Sequence, residues 1–338
     1  MLYSGIDLHK RTAVISTVDD HGTTVTEASL PTSRAAVAHY FQQLPQPTIT
    51  TVEATSSWYW LHDLLKHEDV PLTLAHAKFV KAIAYAKVKT DKVDALTLAQ
   101  LLRADLIPRA HMVSPELRPL RDLLRTRLHL VEKRTSAKNS VHRLLEKFNV
   151  PTPAQLPDEA TLQASLYDEQ IDLLTQQIRR IEKQLGPRLI PNADIQRLLW
   201  IPGIGRLVAF TLFLEIDGIE RFPTVKQFFS YCRVVPGAAN SANRRAHRHR
   251  KDGNRHIKLA LSHAGVRAVQ YFPEIKRFYQ RKARQKNPAI ARTLVQKEIA
   301  RAVYVVLHEG VDFNHTFKGQ PLSKRKAQQW PRQANPHA

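Results

Sequence analysis

The chain has 338 residues, more than a single hydrophobic core usually serves, so we expect two or three domains. Hydrophobic residues make up 43% of the sequence, which excludes a wholly disordered protein. The formal net charge is +21, which is extreme for an enzyme acting on a small neutral substrate. Such a charge favours a polyphosphate partner, that is, nucleic acid, over a basic surface that only keeps the protein soluble.

The positive charge is concentrated near the end of the chain. After Pro236, 22 lysines and arginines stand against five acidic residues, a net charge of +17. The first two thirds of the chain are nearly neutral. We therefore expect the two ends of the chain to have different tasks.

Cysteine content and hydropathy exclude several other classes of protein. Cys232 is the only cysteine, which rules out an intrachain disulfide framework and a Cys-x-x-Cys zinc site. The first strand begins almost at Met1 and reaches the charged Asp7, so no signal peptide fits there. No apolar run approaches membrane-spanning length. We expect a cytoplasmic, nucleoid-associated protein with no membrane partner.

The first 110 residues alternate strand and helix patterns. Strands are predicted at residues 2–6, 13–18, near 25, 48–52 and 72–75, and helices at 33–43, 58–66 and from about 90 to before 108. A turn at residues 19–22 joins the second and third strands. This order predicts an α/β domain with a hairpin at its front and a mixed sheet.

A helical segment is predicted next. One long helix covers residues 115–148, prolines interrupt the chain, and a second helix ends at Gly186-Pro187. In this second helix, apolar residues alternate three and four apart over two heptads: Ile171, Leu174, Ile178, Ile181 and Leu185. Two heptads fit an intramolecular helical hairpin as well as a dimer zipper.

Four carboxylates are candidates for one site. Asp7 ends the first predicted strand and Glu53 follows the fourth, while Asp91 and Asp94 share one face at the start of a helix. Carboxylates that converge repel each other unless a cation holds them, and Mg²⁺ prefers such oxygen ligands. Two such ions support phosphoryl transfer. In the alternative interpretation, Asp91 and Asp94 only stabilise a helix N-terminus and Asp7 caps a turn.

The C-terminal part is predicted to be mainly helical, with two features suited to phosphate. Residues 201–205 form either the turn of a helix-hairpin-helix, which aims backbone N–H groups at phosphate, or a plain turn between helices. A basic block follows and is predicted to bind phosphate: Arg244, Arg245, Arg248, Arg250, Lys251, Arg255 and Lys258. Residues 321–338 look like a loose basic tail.

Several of these segments together resemble one known family. Residues 5–10, 52–55 and 89–95 resemble the DEDD signature of the RuvC-like transposases of one family of bacterial insertion sequences. Residues 201–205 are similar to the second conserved block of that family, and so is Arg248-x-x-Lys251-x-Gly253-Asn254. Each motif is weak alone, but their order and spacing make the resemblance specific.

The resemblance covers roughly residues 1–315 and implies a fold for each part of the chain. It implies an RNase H-like (RuvC-like) α/β domain over residues 1–110, with Asp7, Glu53, Asp91 and Asp94 as Mg²⁺ ligands. A helical coiled-coil connector over 111–190 and a mainly α transposase domain over 191–320 complete the expected architecture.

The resemblance also implies a serine nucleophile in the C-terminal domain. In the family this serine lies a few residues after a proline that closes an apolar helix. Ser241 follows Pro236 by five residues, in a predicted polar and basic loop, and is the only serine between Ser230 and Ser262. In the alternative interpretation Ser241 is only a polar residue of that loop. A serine hydroxyl needs a base, a metal or cationic neighbours to become a good nucleophile, and the arginines that follow Ser241 are suitable neighbours.

The implied activity is DNA recombination through a 5′-phosphoserine linkage. The expected partners are donor and target DNA, a structured guide RNA from the element, and further copies of the chain in a dimer or tetramer. The carboxylates of one protomer would then meet Ser241 of another. Two rival functions remain open: a metal-only, junction-resolving endonuclease, and a non-catalytic nucleic-acid-binding protein with a degenerate acidic site.

Overall fold

The protein is described by a computed structural model that covers residues 1–45, 47–55, 57–84, 90–235, 237–241, 244–248 and 252–313, with backbone alone at 237–241 and 244–248. The chain forms two compact units, Met1–Met112 and a second one that begins at Val113. Within the described residues, no helix is long and apolar enough to cross a membrane.

The first unit is a five-stranded mixed sheet with helices. Its strands are β1 (Leu2–Leu8), β2 (Thr12–Val18), β3 (Thr24–Pro31), β4 (Thr48–Glu53) and β5 (Leu72–Ala75). Its helices are α1 (Arg34–Gln42), α2 (Trp58–His67), α3 (Ala77–Ile83) and α4 (Asp91–Arg103). The strand order is β3-β2-β1-β4-β5, with β1–β2 and β2–β3 antiparallel and β1–β4 and β4–β5 parallel. The predicted α/β unit with a mixed sheet is confirmed; α3 was not predicted.

Different helices cover the two faces of this sheet. On one face, Ile6, Ile15 and Val52 are buried in the cluster that includes residues of α1 and α2. On the other face lies α4, whose Leu98 belongs to a separate buried cluster. Because successive side chains of a strand point to opposite faces, Asp7 lies on the α4 face.

The second unit is mainly helical, as predicted. Its helices are α5 (Arg118–Phe148), α6 (Asp158–Leu185), α7 (Ala193–Leu199), α8 (Arg206–Ile216), α9 (Val225–Tyr231), α10 (Arg255–Tyr271), α11 (Pro273–Gln285) and α12 (Pro288–His308). Between α9 and α10 lies an antiparallel hairpin of β6 (Gly237–Ser241) and β7 (Arg244–Arg248). This hairpin corrects the prediction of a polar loop around Ser241.

Helices α5 and α6 pack on each other as an intramolecular hairpin. Leu124 of α5 and Leu185 of α6 are buried in the main hydrophobic core of the second unit. Arg127 of α5 and Glu182 of α6 form an ion pair of 2.6 Å. The seam predicted on the second helix therefore takes part in a hairpin within the chain, one of the two arrangements it allowed.

The glycine-containing turn between α7 and α8 is explained by packing. Gly203 has a φ of +83°, and a Cβ on it would overlap the carbonyl oxygen of Ala264 and lie 2.9 Å from the side chain of Ala268. Both contacts come from α10, so glycine is needed here for close helix packing. This geometry favours the plain interhelical turn over the phosphate-binding alternative.

The predicted basic tail, residues 321–338, lies outside the described residues.

Candidate active site

Asp7 lies at the end of a central strand, beside the position of Glu53. Ile6 of β1 pairs with Val52 of β4 in parallel register. Asp7 and Glu53 are the next residues on these strands, so they lie on the same face of the sheet at the same edge. The Asp7 side chain is 20% exposed. The prediction that two strand ends bring these acids to one edge agrees with the strand register.

The N-terminus of α4 brings Asp91 and Asp94 to the same region. The Thr90 hydroxyl caps the helix by accepting a hydrogen bond from the Val93 N–H at 3.3 Å. Both aspartates lie in the first turn, where the helix dipole favours negative charge. The alternative interpretation of these residues as helix-stabilising acids thus describes a real contribution, but it does not explain why they approach Asp7.

Close packing of α4 on β1 produces that approach. A Cβ on Gly5 would overlap the carbonyl oxygen of Ala95 and lie 2.5 Å from the backbone nitrogen of Ala99. Only glycine leaves room for the α4 backbone at this distance from the strand. Gly5 therefore sets the separation between Asp7, two residues further along β1, and the carboxylates of α4.

His9 joins the acidic residues and was not predicted as part of the site. Its Nε2 lies 3.1 Å from Oδ2 of Asp7 and 3.5 Å from Oδ2 of Asp91. One potential ligand atom from each of these three residues lies within 4.8 Å of the others, a geometry that can hold a metal ion. Asp94 and Glu53 do not belong to this group of three. The only signal in the sequence was the position of His9 two residues after Asp7.

The charges at the site favour a bound cation. Burial raises the pKa of Asp7, the charges of Asp91 and Asp94 raise it further, and His9 acts in the opposite direction. Neighbouring carboxylates thus repel the ionised form of Asp7, and a cation would relieve this repulsion. The oxygen donors suit a hard ion such as Mg²⁺, and one nearby imidazole is also compatible with other divalent metals. The donor set fits a metal ion without fixing its identity.

Ser241 is the last residue of β6. It stands opposite Arg244, the first residue of β7, at the turn end of the hairpin. The predicted phosphate-binding residues Arg245 and Arg248 also lie on β7. Arg250 and Lys251 lie outside the described residues. The hairpin thus carries the predicted nucleophile and three of the predicted basic residues.

The last two residues of the predicted basic block differ in their surroundings. Arg255 at the start of α10 is 65% exposed and lies 3.3 Å from Glu132 of α5. Lys258 donates a hydrogen bond to Gln296, and burial lowers the pKa of its ammonium group. Arg255 is therefore accessible to a phosphate, whereas the Lys258 ammonium already has a partner within the helical core.

Sequence comparisons assign the chain to a family. Residues 4–150 match the model of the DEDD transposases of the IS110 type, and residues 195–280 match the model described as "Transposase IS116/IS110/IS902 family". A "Probable family 20 transposase" of Pseudomonas aeruginosa is 30% identical over 292 residues, which cover 78% of this chain and 83% of that protein. The chain belongs to the IS116/IS110/IS902 family of transposases.

A second relative agrees with this assignment. The transposase for insertion sequence element IS1328 of Yersinia enterocolitica is 26% identical over 250 residues, which cover 69% of this chain and 73% of that protein. Transposases cleave and recombine DNA, so this member of the family is an enzyme with a DNA substrate. The first matched region contains the four predicted carboxylates, and the second contains Ser241.

Proposed function

We propose that this transposase uses a Mg²⁺ site formed by Asp7, Glu53, Asp91 and Asp94 together with Ser241 as its nucleophile. The observation that carries the proposal is the convergence of Asp7, His9 and Asp91 inside the region that matches the DEDD transposase model. Ordinary helix capping does not require an aspartate to approach another aspartate across a sheet edge.

The residues of the acidic site have defined roles in this proposal. Asp7 and Asp91 supply oxygen ligands. Asp94, in the same helix turn as Asp91, and Glu53, at the same edge of the sheet as Asp7, add further negative charge to the site. His9 pairs with Asp7 and Asp91 and so holds these two carboxylates close together. Mg²⁺ held by these residues would supply positive charge that stabilises the transferred phosphoryl group.

Ser241 conserves the phosphodiester bond energy during strand exchange. Its Oγ attacks the phosphorus, the bond from phosphorus to the 3′ oxygen breaks, and the 3′ oxygen leaves with a proton. The 5′ end stays joined to Ser241 as a phosphodiester. The 3′ hydroxyl of another strand then attacks this linkage and releases the serine hydroxyl, so no nucleotide cofactor is consumed.

The basic residues near Ser241 bind the DNA backbone in this proposal. Arg244, Arg245 and Arg248 follow it on β7, Arg255 begins α10, and Arg250 and Lys251 complete the set. Lys258, predicted with them, is left out because its ammonium group is bonded to Gln296. Arginine guanidinium groups bind phosphate through pairs of hydrogen bonds. Donor and target DNA are the substrates, and a structured RNA encoded by the element is proposed as the guide that selects them.

We propose three functional parts and an oligomer. The parts are the acidic domain (1–110), the helical connector (111–190) and the serine domain (191–320), followed by the basic tail (321–338). Helix α6 leaves Leu162, Leu166 and Leu173 50–61% exposed on one face, four and seven residues apart. This apolar face supports a dimer or tetramer in which the carboxylates of one protomer serve Ser241 of another.

A covalent adduct tests the serine mechanism. The protein is incubated with DNA carrying the element ends and with Mg²⁺, then denatured, and protein-bound DNA is measured. Ser241→Ala is expected to bind DNA as the wild type does and to form no adduct. The matched variants Ser230→Ala (α9) and Ser262→Ala (α10) are expected to form it.

Two results would contradict the proposal. An adduct that persists in Ser241→Ala would place the nucleophile at another residue. Cleavage by the wild type without any adduct, under conditions that trap intermediates, would favour the metal-only endonuclease, which needs the carboxylates but not the serine.

A further inference from the structure

The two ends of the segment that contains the serine hairpin are fastened to each other. The backbone N–H of Asn254 donates to the carbonyl of Tyr231 at 2.7 Å, and Nε of Arg233 donates to the carbonyl of Gly253 at 2.9 Å. Gly253 has a φ of +99°, and a Cβ on it would lie 2.5 Å from the Tyr231 carbonyl oxygen. The chain therefore returns, after the hairpin, to the end of the helix from which it left.

Asn254 uses both ends of its side-chain amide at this root. Its Oδ1 accepts hydrogen bonds from the N–H groups of His256 and Ile257 and so caps α10. Its Nδ2 donates to Oε2 of Glu215 at 2.7 Å and to the hydroxyl of Tyr231 at 3.1 Å. The side chain is buried, so this geometry allows one orientation of the amide. Capping of α10 requires only Oδ1 of Asn254, and Nδ2 makes separate hydrogen bonds to Glu215 and Tyr231.

Glu215 connects Asn254 to helix α5. The carboxylate is 2% exposed; it accepts from Nε of Arg125 at 2.6 Å and lies 3.3 Å from Nε of Arg121. A carboxylate on α8 thus joins two arginines of α5 to the residue that begins α10. Buried ion networks of this kind contribute little net stability compared with apolar packing, but they define one arrangement of the groups they join.

We propose that Glu215 and Asn254 are positioning residues for Ser241. The chain of contacts from Arg121 and Arg125 through Glu215 to Asn254 fixes the root of the β6–β7 hairpin, and the ladder from Gly237–Arg248 to Ser241–Arg244 transmits this orientation to the nucleophile. The inference rests on the proposed function of Ser241. It adds that the serine is reactive only while the hairpin root is held against α5 and α8.

Replacing Asn254 by serine separates the two uses of its side chain. Serine keeps an oxygen that caps α10 nearly as well as asparagine, but it cannot donate the two hydrogen bonds of Nδ2. The matched control is Asn192→Ser, because Asn192 caps α7 through its Oδ1 and the Ile195 N–H at 2.9 Å and has no contact with the hairpin root among the described hydrogen bonds.

Two measurements are made on the full-length protein. Backbone amide exchange of residues 237–248 in the free protein is expected to rise by about tenfold in Asn254→Ser, since a hydrogen bond to a charged group is lost, and to stay unchanged in the control. The rate of adduct formation at saturating DNA is expected to fall by about the same factor in Asn254→Ser, with unchanged DNA affinity.

A reversed hydrogen bond provides a rescue. Asn254→Asp places a carboxylate beside Glu215 and is expected to slow adduct formation further than Asn254→Ser. When Asn254→Asp is combined with Glu215→Gln, the amide of residue 215 can donate a hydrogen bond to the carboxylate of residue 254, so donor and acceptor are exchanged. The cap of α10 is kept, because aspartate is also a good N-cap residue. The double variant is expected to recover most of the rate lost in Asn254→Asp.

Each outcome bears on one of the two proposals. Wild-type exchange of the hairpin amides in Asn254→Ser, or a wild-type adduct rate, would overturn the positioning role. Absence of any Ser241 adduct in the wild type would instead refute the nucleophile assignment, and the exchange measurement would still decide whether Glu215 and Asn254 order the hairpin.

Discussion

Replacing Gly5 by alanine tests how the acidic site is assembled. The new Cβ would lie 2.5 Å from the Ala99 nitrogen and would overlap the Ala95 carbonyl oxygen. Non-bonded atoms need about 3.5 Å, so α4 would have to move by about 1 Å or more. Both obstructing atoms belong to the backbone, which cannot rotate away as a side chain does. The substitution therefore forces the helix that carries Asp91 away from the strand that carries Asp7.

The expected effects follow from this displacement. Overpacking of a well-packed core costs about 1–3 kcal/mol, and the backbone overlap here puts Gly5→Ala near 3 kcal/mol. For a unit of this size the melting temperature should fall on the order of 10 °C. At a temperature where the variant remains folded, recombination should fall about 100-fold, because a 1 Å displacement of catalytic groups has an effect of that order.

The assay compares this variant with a glycine substitution that has space. Gly186→Ala meets its nearest non-neighbouring atom at 3.5 Å and has a negative φ; its helical conformation before Pro187 disfavours a Cβ, so stability should fall slightly, and much less than in Gly5→Ala. Thermal unfolding and recombination are measured for both variants, together with titration of Mg²⁺ binding. A Gly5→Ala protein with wild-type melting temperature and recombination rate would refute the view that close contact between β1 and α4 builds the site.

Three further predictions concern charge. Asp91→Asn should abolish recombination while keeping DNA binding. The melting temperature of this variant without Mg²⁺ should stay the same or rise, because the repulsion between residue 91 and Asp7 is removed. Recombination at the wild-type rate would refute the role of Asp91 as a metal ligand. Arg277 and Arg281 of α11 are replaced together by glutamine, and the affinity for duplex DNA is measured against salt concentration. If each arginine binds one phosphate, the slope of log affinity against log salt should become shallower by about 1.8, whereas Arg127→Gln should not change the slope. Equal slopes for the wild type and the double variant would exclude α11 from the DNA contact. Glu215→Gln should lower the free energy of unfolding at neutral pH by about 3 kcal/mol. Denaturation measured across pH should show that the difference from the wild type shrinks as pH falls below about 4.5. A difference that does not depend on pH would contradict this expectation.

The surroundings of Glu215 determine how its contribution to stability depends on pH. Burial alone would raise the pKa of this carboxyl group, but the hydrogen bond from Arg125 and the charges of Arg121 and Arg125 outweigh burial and lower it. A lowered pKa in the folded state means that the ionised group stabilises the fold above the unfolded pKa. This contribution is lost as pH falls through the folded pKa, and glutamine has no such contribution to lose.

The sequence predicted the sheet well because its signals are local. The turn between β2 and β3 is an example: Asp19 Oδ1 accepts hydrogen bonds from the N–H groups of His21 and Thr23, and Gly22 has a φ of +85°. Neighbouring residues determine all of these features, as they determine the alternation of apolar residues in the strands. The positions of Asp7 and Glu53 at strand ends followed from the same local pattern.

Features that depend on distant parts of the chain were missed. His9 becomes part of the acidic group only because α4 packs on β1 and brings Asp91 to it. The β6–β7 hairpin was predicted as a loop because residues 237–248 contain neither alternating apolar residues nor β-branched ones. Apart from the position of His9 two residues after Asp7, the sequence provided no local pattern from which either feature follows.

A count of charges in the sequence does not show which arginines can bind nucleic acid, because the fold divides them into two groups. Arg125 and Arg127 of α5 hold Glu215 and Glu182, so their charges are neutralised inside the protein. On α11, Arg277 and Arg281 are exposed and take part in no ion pair among the described residues. The sequence shows the same residue type in both places, and only the position of the carboxylates separates a structural cation from one that can bind phosphate. The salt dependence of DNA binding should therefore respond to the second group and not to the first.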